Sequence, residues 1–120
     1  MPWFKVDDGF AFHPKALRAG NAACGLWVRA GSWCMQQLTD GFIPDHVLPT
    51  LGTVREAQKL VEAGLWVRGV NGYMFHEWEI RQPTREQVEK ERAANAERQR
   101  KAREKALRQQ SRPDTEDGAA

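Results

Sequence analysis

The chain has 120 residues, of which 41% are hydrophobic and 28% charged, enough for one core and an appendage but not for a second domain of ordinary size. Its net charge of +2 singles out no partner, but residues 1–83 hold eight basic and eight acidic side chains whereas 84–112 hold ten basic against five acidic. The opening Met1-Pro2-Trp3-Phe4-Lys5-Val6-Asp7-Asp8 has no apolar leader run and no stretch of about 18 apolar residues follows, so neither secretion nor a membrane span is expected and a cytoplasmic protein is.

All five Trp, all five Phe and the one Tyr precede residue 79, so the core-forming part is expected to end near Arg81-Gln82-Pro83. Trp3-Phe4-Lys5-Val6 is a short strand candidate closed by Asp7-Asp8-Gly9. His13 to Gly20 has the form of a short helix, with Pro14 in its first turn and Gly20 past its end. Asn21 can cap a long helix over 22–38, in which Ala23, Leu26, Trp27, Ala30, Trp33, Cys34 and Leu38 recur at spacings of three and four. Cys24 and Cys34, ten residues apart on that helix, lie about 15 Å from each other, too far for a disulfide; both are expected as buried thiols.

Thr39-Asp40-Gly41 stops the helix and Phe42-Ile43 can pair briefly as a strand. Pro44 is placed to open a short helix that Pro49 limits to a turn or two. Thr53-Val54-Arg55-Glu56 has the spacing of a capping box and predicts a helix over 54–63, with Val54, Ala57, Leu60 and Val61 on the core side and Gly64 as its stop. Leu65–Arg68 and Tyr73–Glu77 then flank Gly69-Val70-Asn71-Gly72 as a hairpin. Thr84-Arg85-Glu86-Gln87 is a second capping box, opening a stretch of Glu, Arg, Lys, Gln and Ala to about residue 108. Oppositely charged pairs four apart support it, among them Arg100/Glu104, and its apolar residues are too sparse for a coiled-coil seam. A mostly solvent-exposed helix over 83–110 and a disordered 111–120 are expected to follow a folded domain over 1–82.

Long helix, brief strand, short helix, capped helix, strand, tight turn, strand is the order of a winged helix-turn-helix domain, an α+β fold in which the third helix enters a major groove. On that helix Arg55 and Lys59 project away from the core side with Gln58 at the border, and Thr53 sits at its start. Arg68 and Asn71 lie at the wing, within reach of double-stranded DNA. Arg98, Arg100, Lys101, Arg103 and Lys105 form the most basic part of the tail and can neutralise phosphates without regard to sequence. The same charges fit a solvated helix, and winged-helix domains also serve as protein-docking modules, so the alternative expectation is docking on a host protein through the exposed helix or the basic tail. A membrane surface is not an expected partner, since no apolar face exists to insert. His13, His46, His76 and the two Cys lie at unrelated spacings rather than in the close pairs of a zinc site. No phosphate loop, nucleophile elbow or paired-carboxylate motif occurs, so no metal, cofactor or catalytic role is expected. Five Trp in so short a domain are more often core and hairpin packing than base-stacking platforms, and Trp66 and Trp78 are the two to test for exposure.

Trp3-Phe4-Lys5-Val6-Asp7-Asp8, His13-Pro14-Lys15, Gly25-Leu26-Trp27, Leu38-Thr39-Asp40-Gly41-Phe42-Ile43-Pro44, Ala63-Gly64-Leu65-Trp66, Phe75-His76-Glu77-Trp78 and Gln82-Pro83-Thr84 together resemble a family of small proteins from actinobacterial phages and prophages. That family is similar to the N-terminal winged-helix domain of phage replisome organisers, the replication initiators. The resemblance covers about residues 1–90. It implies a winged-helix domain in a bacterial host cell that binds origin or operator DNA, as a replication accessory or a transcriptional regulator, with a host or phage replication or transcription protein as a possible partner.

Overall fold

The computed structural model describes residues 2–110; the expectation of disorder over 111–120 falls outside them. The class is α+β, helices with a small three-stranded antiparallel sheet. One compact unit runs to Arg85 and a second begins at Glu86. No described helix is long and apolar enough to cross a membrane.

The first segment is not a strand. Residues 2–7 have no regular secondary structure, and the backbone of Lys5 is paired by one side chain: its N–H donates to Gln82 Oε1 at 2.8 Å and its carbonyl accepts from Gln82 Nε2 at 2.7 Å. A buried carboxamide with one donor and one acceptor does here what a neighbouring strand would do. Asp7 then caps a 3-10 turn over Asp8–Phe12, accepting the Gly9 N–H at 2.9 Å, which holds its carboxyl below the usual value.

Helix α1 (Pro14–Gln37) opens with Pro14 in its first turn and His13 as cap, the His13 Nδ1 accepting from Lys15 N–H at 3.1 Å. Gly20 breaks it, with φ 84° and ψ 167°, a conformation that L side chains avoid. The expected pair of helices thus exists as two segments meeting at this residue. Beyond it Ala23, Leu26, Ala30, Cys34 and Met35 are buried along one face, and Leu38 ends the helix in the left-handed region. Gly31 is buried because the Phe4 ring lies on it, and any Cβ there would overlap that ring. Phe4 also meets Trp27, Phe75 and Trp78 at centroid distances of 4.9, 5.8 and 5.9 Å, so the N-terminal segment contributes to the core through one aromatic side chain. Cys34 is buried, which pushes its thiol up to about 11, whereas Cys24 is only half-buried, short of the expectation for both.

Strand β1 (Phe42–Pro44) takes in Pro44, which was expected to open a helix. That helix, α2 (Leu48–Leu51), starts four residues later and has Pro49 in its first turn, where a missing N–H costs no helical hydrogen bond. Helix α3 (Val54–Ala63) carries the full capping box: Glu56 N–H donates to Thr53 Oγ1 at 3.1 Å and Thr53 N–H to Glu56 Oε1 at 2.8 Å. Gly64, at φ 84°, closes it in the left-handed region. Its buried residues are Ala57, Leu60 and Ala63, and it packs on α1. Val54, expected on the core side, is 63% exposed. The small Ala57 and Ala63 let the backbone come close to α1, and this rotates the buried sector away from Val54.

Strands β2 (Trp66–Arg68) and β3 (Gly72–Phe75) form the hairpin, and β1 pairs with the other side of β3, giving the order β1-β3-β2. His76 and Glu77, expected in the second strand, lie beyond it. Glu77 turns into the left-handed region and a helical turn that the sequence did not announce follows, α4 (Trp78–Arg81). Trp66 and Trp78 are buried, at 1% and 2% exposure, in keeping with core packing, and the exposed tryptophan is Trp3, at 79%. Helix α5 (Arg85–Gln110) has 26 residues, a length of about 39 Å. Its first N–H, from Arg85, donates to Asp40 Oδ1 at 2.6 Å, and a carboxylate there complements the helix dipole.

Candidate nucleic-acid interface

On α3 the buried sector of Ala57, Leu60 and Ala63 leaves Val54, Arg55, Gln58, Lys59 and Glu62 in solvent. Gln58 is thus near the middle of the open face instead of at its border. Its Nε2 reaches Glu62 Oε1 at 3.4 Å, while Arg55 and Lys59 have no ion-pair partner among the described residues. Thr53 is committed to the cap: its hydroxyl accepts from Glu56 N–H and lies 3.0 Å from Glu56 Oε1. Upstream, Arg29 of α1 donates to the carbonyls of Leu51 and Thr50 at 3.1 and 3.4 Å, tying α1 to the C-terminal end of α2 just ahead of α3. Nothing in the local sequence signals that role, since donor and acceptors are more than 20 residues apart.

The two wing residues differ. Arg68 is held in a fork with Asp45, Nη1 to Oδ1 at 2.5 Å and Nη2 to Oδ2 at 3.0 Å, and its guanidinium lies 4.6 Å from the Tyr73 ring centroid. The pair raises the Arg68 pKa and lowers that of Asp45, each chiefly through this hydrogen bonding. Both parallel donors of the fork are therefore occupied. Asn71 is exposed with its side chain open, and its carbonyl accepts Asp45 N–H at 2.9 Å. Val70 beside it is 92% exposed.

The five tail candidates separate by helical phase. At about 100° per residue, Arg98, Lys101 and Lys105 fall within about 60° of arc, and Lys90 and Arg108 lie along the same strip. Lys101 and Lys105 have no partner among the described residues, and Arg98 donates to Asn95 Oδ1. Glu97 and Glu104 stand in a neighbouring sector, and Arg100 lies between them, bonded to Glu97 at 2.5 Å and to Glu104 at 2.7 Å. These bonds, Glu97 first, raise the Arg100 pKa. Arg103 points to the side opposite the strip. The helix thus draws Glu97 and Glu104 onto one arginine and leaves three cations in a row about 10 Å long.

Among the described residues no group of three or more His, Cys, Asp or Glu is arranged to hold a metal ion. No family model, no curated protein and no solved structure matches this chain.

Proposed function

We propose that the chain is a winged helix-turn-helix protein of phage or prophage type that binds double-stranded DNA without catalysis, as a replication accessory or a transcriptional regulator. The order α1, β1, α2, α3, β2, β3 and the sheet order β1-β3-β2 support the fold reading, since α3 then lies between a preceding helical turn and a hairpin with one face open. The observation that carries the functional reading is the cationic strip of Arg98, Lys101 and Lys105, cleared of acids by the Arg100 pairs. A row of unneutralised cations on an exposed helix releases counterions when it meets a polyanion. On α3, Arg55, Gln58 and Lys59 supply donors for base edges or phosphates.

Binding to duplex DNA, followed by anisotropy between about 50 and 300 mM salt, tests the reading. With Arg55, Lys59, Arg98, Lys101 and Lys105 engaged, the logarithm of affinity falls against that of salt with a slope of about −4 to −5. Replacing Arg98, Lys101 and Lys105 by Ala lowers that slope by about three on all DNA, whereas Arg100→Ala with Arg103→Ala changes it by less than about one. Arg55→Ala weakens preferred sites selectively. Absence of binding at about 50 mM salt refutes the reading, because counterion release makes association strongest there.

A second reading, docking on a host or phage replication or transcription protein, is favoured by the aromatic side chains of Trp3 and Phe12, 79% and 84% exposed on the N-terminal segment. Replacing both by Ser removes such a partner and leaves DNA affinity unchanged.

A further inference from the structure

We propose that the cavity walled by the N-terminal segment, the Gly64-Leu65 link and residues 75–82 binds a flat aromatic molecule carrying one negative charge. Its volume of about 390 Å³ lies in the range of small-molecule sites. The apolar wall is aromatic: Phe10, Trp27, Phe75 and Trp78 all line it, with Phe10 and Trp27 stacked at 4.4 Å and 14° and Phe75 and Trp78 edge-on at 5.0 Å. Rings so arranged favour a planar guest that continues the stacking. The indole N–H of Trp78 is buried without a hydrogen-bond partner among the described residues.

The charge of the guest follows from which rim groups are already paired. Glu77 faces His76 at 3.3 Å and Arg81 at 3.6 Å, and Asp7 accepts the Gly9 N–H. Both carboxylates of the rim therefore have donors. Lys5 and Lys15 line the same rim, and neither ammonium has a partner among the described residues. His13 accepts Lys15 N–H through Nδ1, which puts the proton of the neutral ring on Nε2 and adds a donor. The rim thus has cations and donors to offer and no free acid, which selects an anion over a neutral or cationic guest. Residues 111–120, Ser-Arg-Pro-Asp-Thr-Glu-Asp-Gly-Ala-Ala, hold no large apolar side chain with which the chain might fill the cavity itself. The site stands independently of any DNA contact.

The full chain, 15N-labelled, is titrated with 2-naphthoate, and with 2-naphthamide and 2-naphthylmethylammonium as neutral and cationic counterparts. The expected result is a saturable shift of the Trp27 and Trp78 indole signals with Trp3 unmoved, and an affinity for the acid about fivefold above the amide, the ammonium binding weakest. Lys5→Glu with Lys15→Glu should invert the order of acid and ammonium. Lys5→Glu alone, at an exposed side chain, should narrow the gap and decides the matter if the double variant does not fold. Equal affinities for acid and amide, a Trp3 shift that follows the others, no saturation up to about 10 mM, or an order untouched by charge reversal would each overturn the proposal.

Discussion

Gln82→Ala removes the one side chain that closes the Lys5 main chain onto the rest of the fold. Two hydrogen bonds vanish together, at 2.8 and 2.7 Å, from a residue 7% exposed. Each half-buried bond contributes about 1 kcal/mol, so the variant loses about 2 kcal/mol before any repacking of Phe4 is counted. For a compact unit of this size 1 kcal/mol moves the melting temperature by about 4–8 °C, giving a fall of roughly 8–16 °C. Gln82→Glu keeps an acceptor for Lys5 N–H but sets a carboxylate oxygen against the Lys5 carbonyl, and it should recover less than half of the loss. Thermal melts by circular dichroism read the stability, and amide exchange at Lys5 reads the bond itself. A Gln82→Ala chain that melts within about 2 °C of the parent, or whose Lys5 amide stays protected, refutes the view that this carboxamide substitutes for a strand.

Gly31→Ala places a methyl group where the Phe4 ring sits and, as an overpacked core substitution, should cost about 1–3 kcal/mol by urea unfolding; Phe4→Leu in the same chain should recover part of it. Hydrogen bonding from Arg68 holds the Asp45 carboxyl below the usual carboxylate value, so the stabilisation from the pair is complete above the unfolded value and is lost as pH falls through the lower folded one. Asp45→Asn should therefore be less stable than the parent near neutrality, with the gap closing in strong acid, as measured by unfolding midpoints across pH. The same substitution frees the Arg68 guanidinium and should strengthen DNA binding at low salt, which anisotropy checks.

What was legible in the sequence was what the chain settles over three or four residues. The Thr53 to Glu56 box, the stops at Gly20 and Gly64, the hairpin around Asn71 and the Arg100 to Glu104 pair all satisfy their hydrogen bonds with near neighbours. Features settled across the fold were not legible. Trp3 to Val6 has the residues of a strand, but its partner is a single side chain 77 positions on. Arg68 looked open at the wing because Asp45, 23 residues earlier, carries no local sign of pairing with it. Val54 fitted the apolar spacing as well as Ala63 did; only the close packing of α3 on α1 decides between them. Pro44 and Pro49 both have the form of helix punctuation, and the ladder of β3 claims the first of them. In the tail, counting charges located the basic stretch, but five cations counted alike became three in a strip, one paired and one turned away.

That division makes net charge and charge geometry separable quantities in α5. A single Ala inserted after Ala102 leaves every charge in place along the chain and advances all that follow by about 100°. Glu104 then swings into the sector of Arg98 and Lys101, Lys105 leaves it, and Arg100 finds one of its two acids five positions away instead of four. Two chains identical in isoelectric point and in helix content would thus meet a polyanion differently. Selection on this segment would act on the spacing between charges, so insertions and deletions there are expected to be less neutral than exchanges of Lys for Arg.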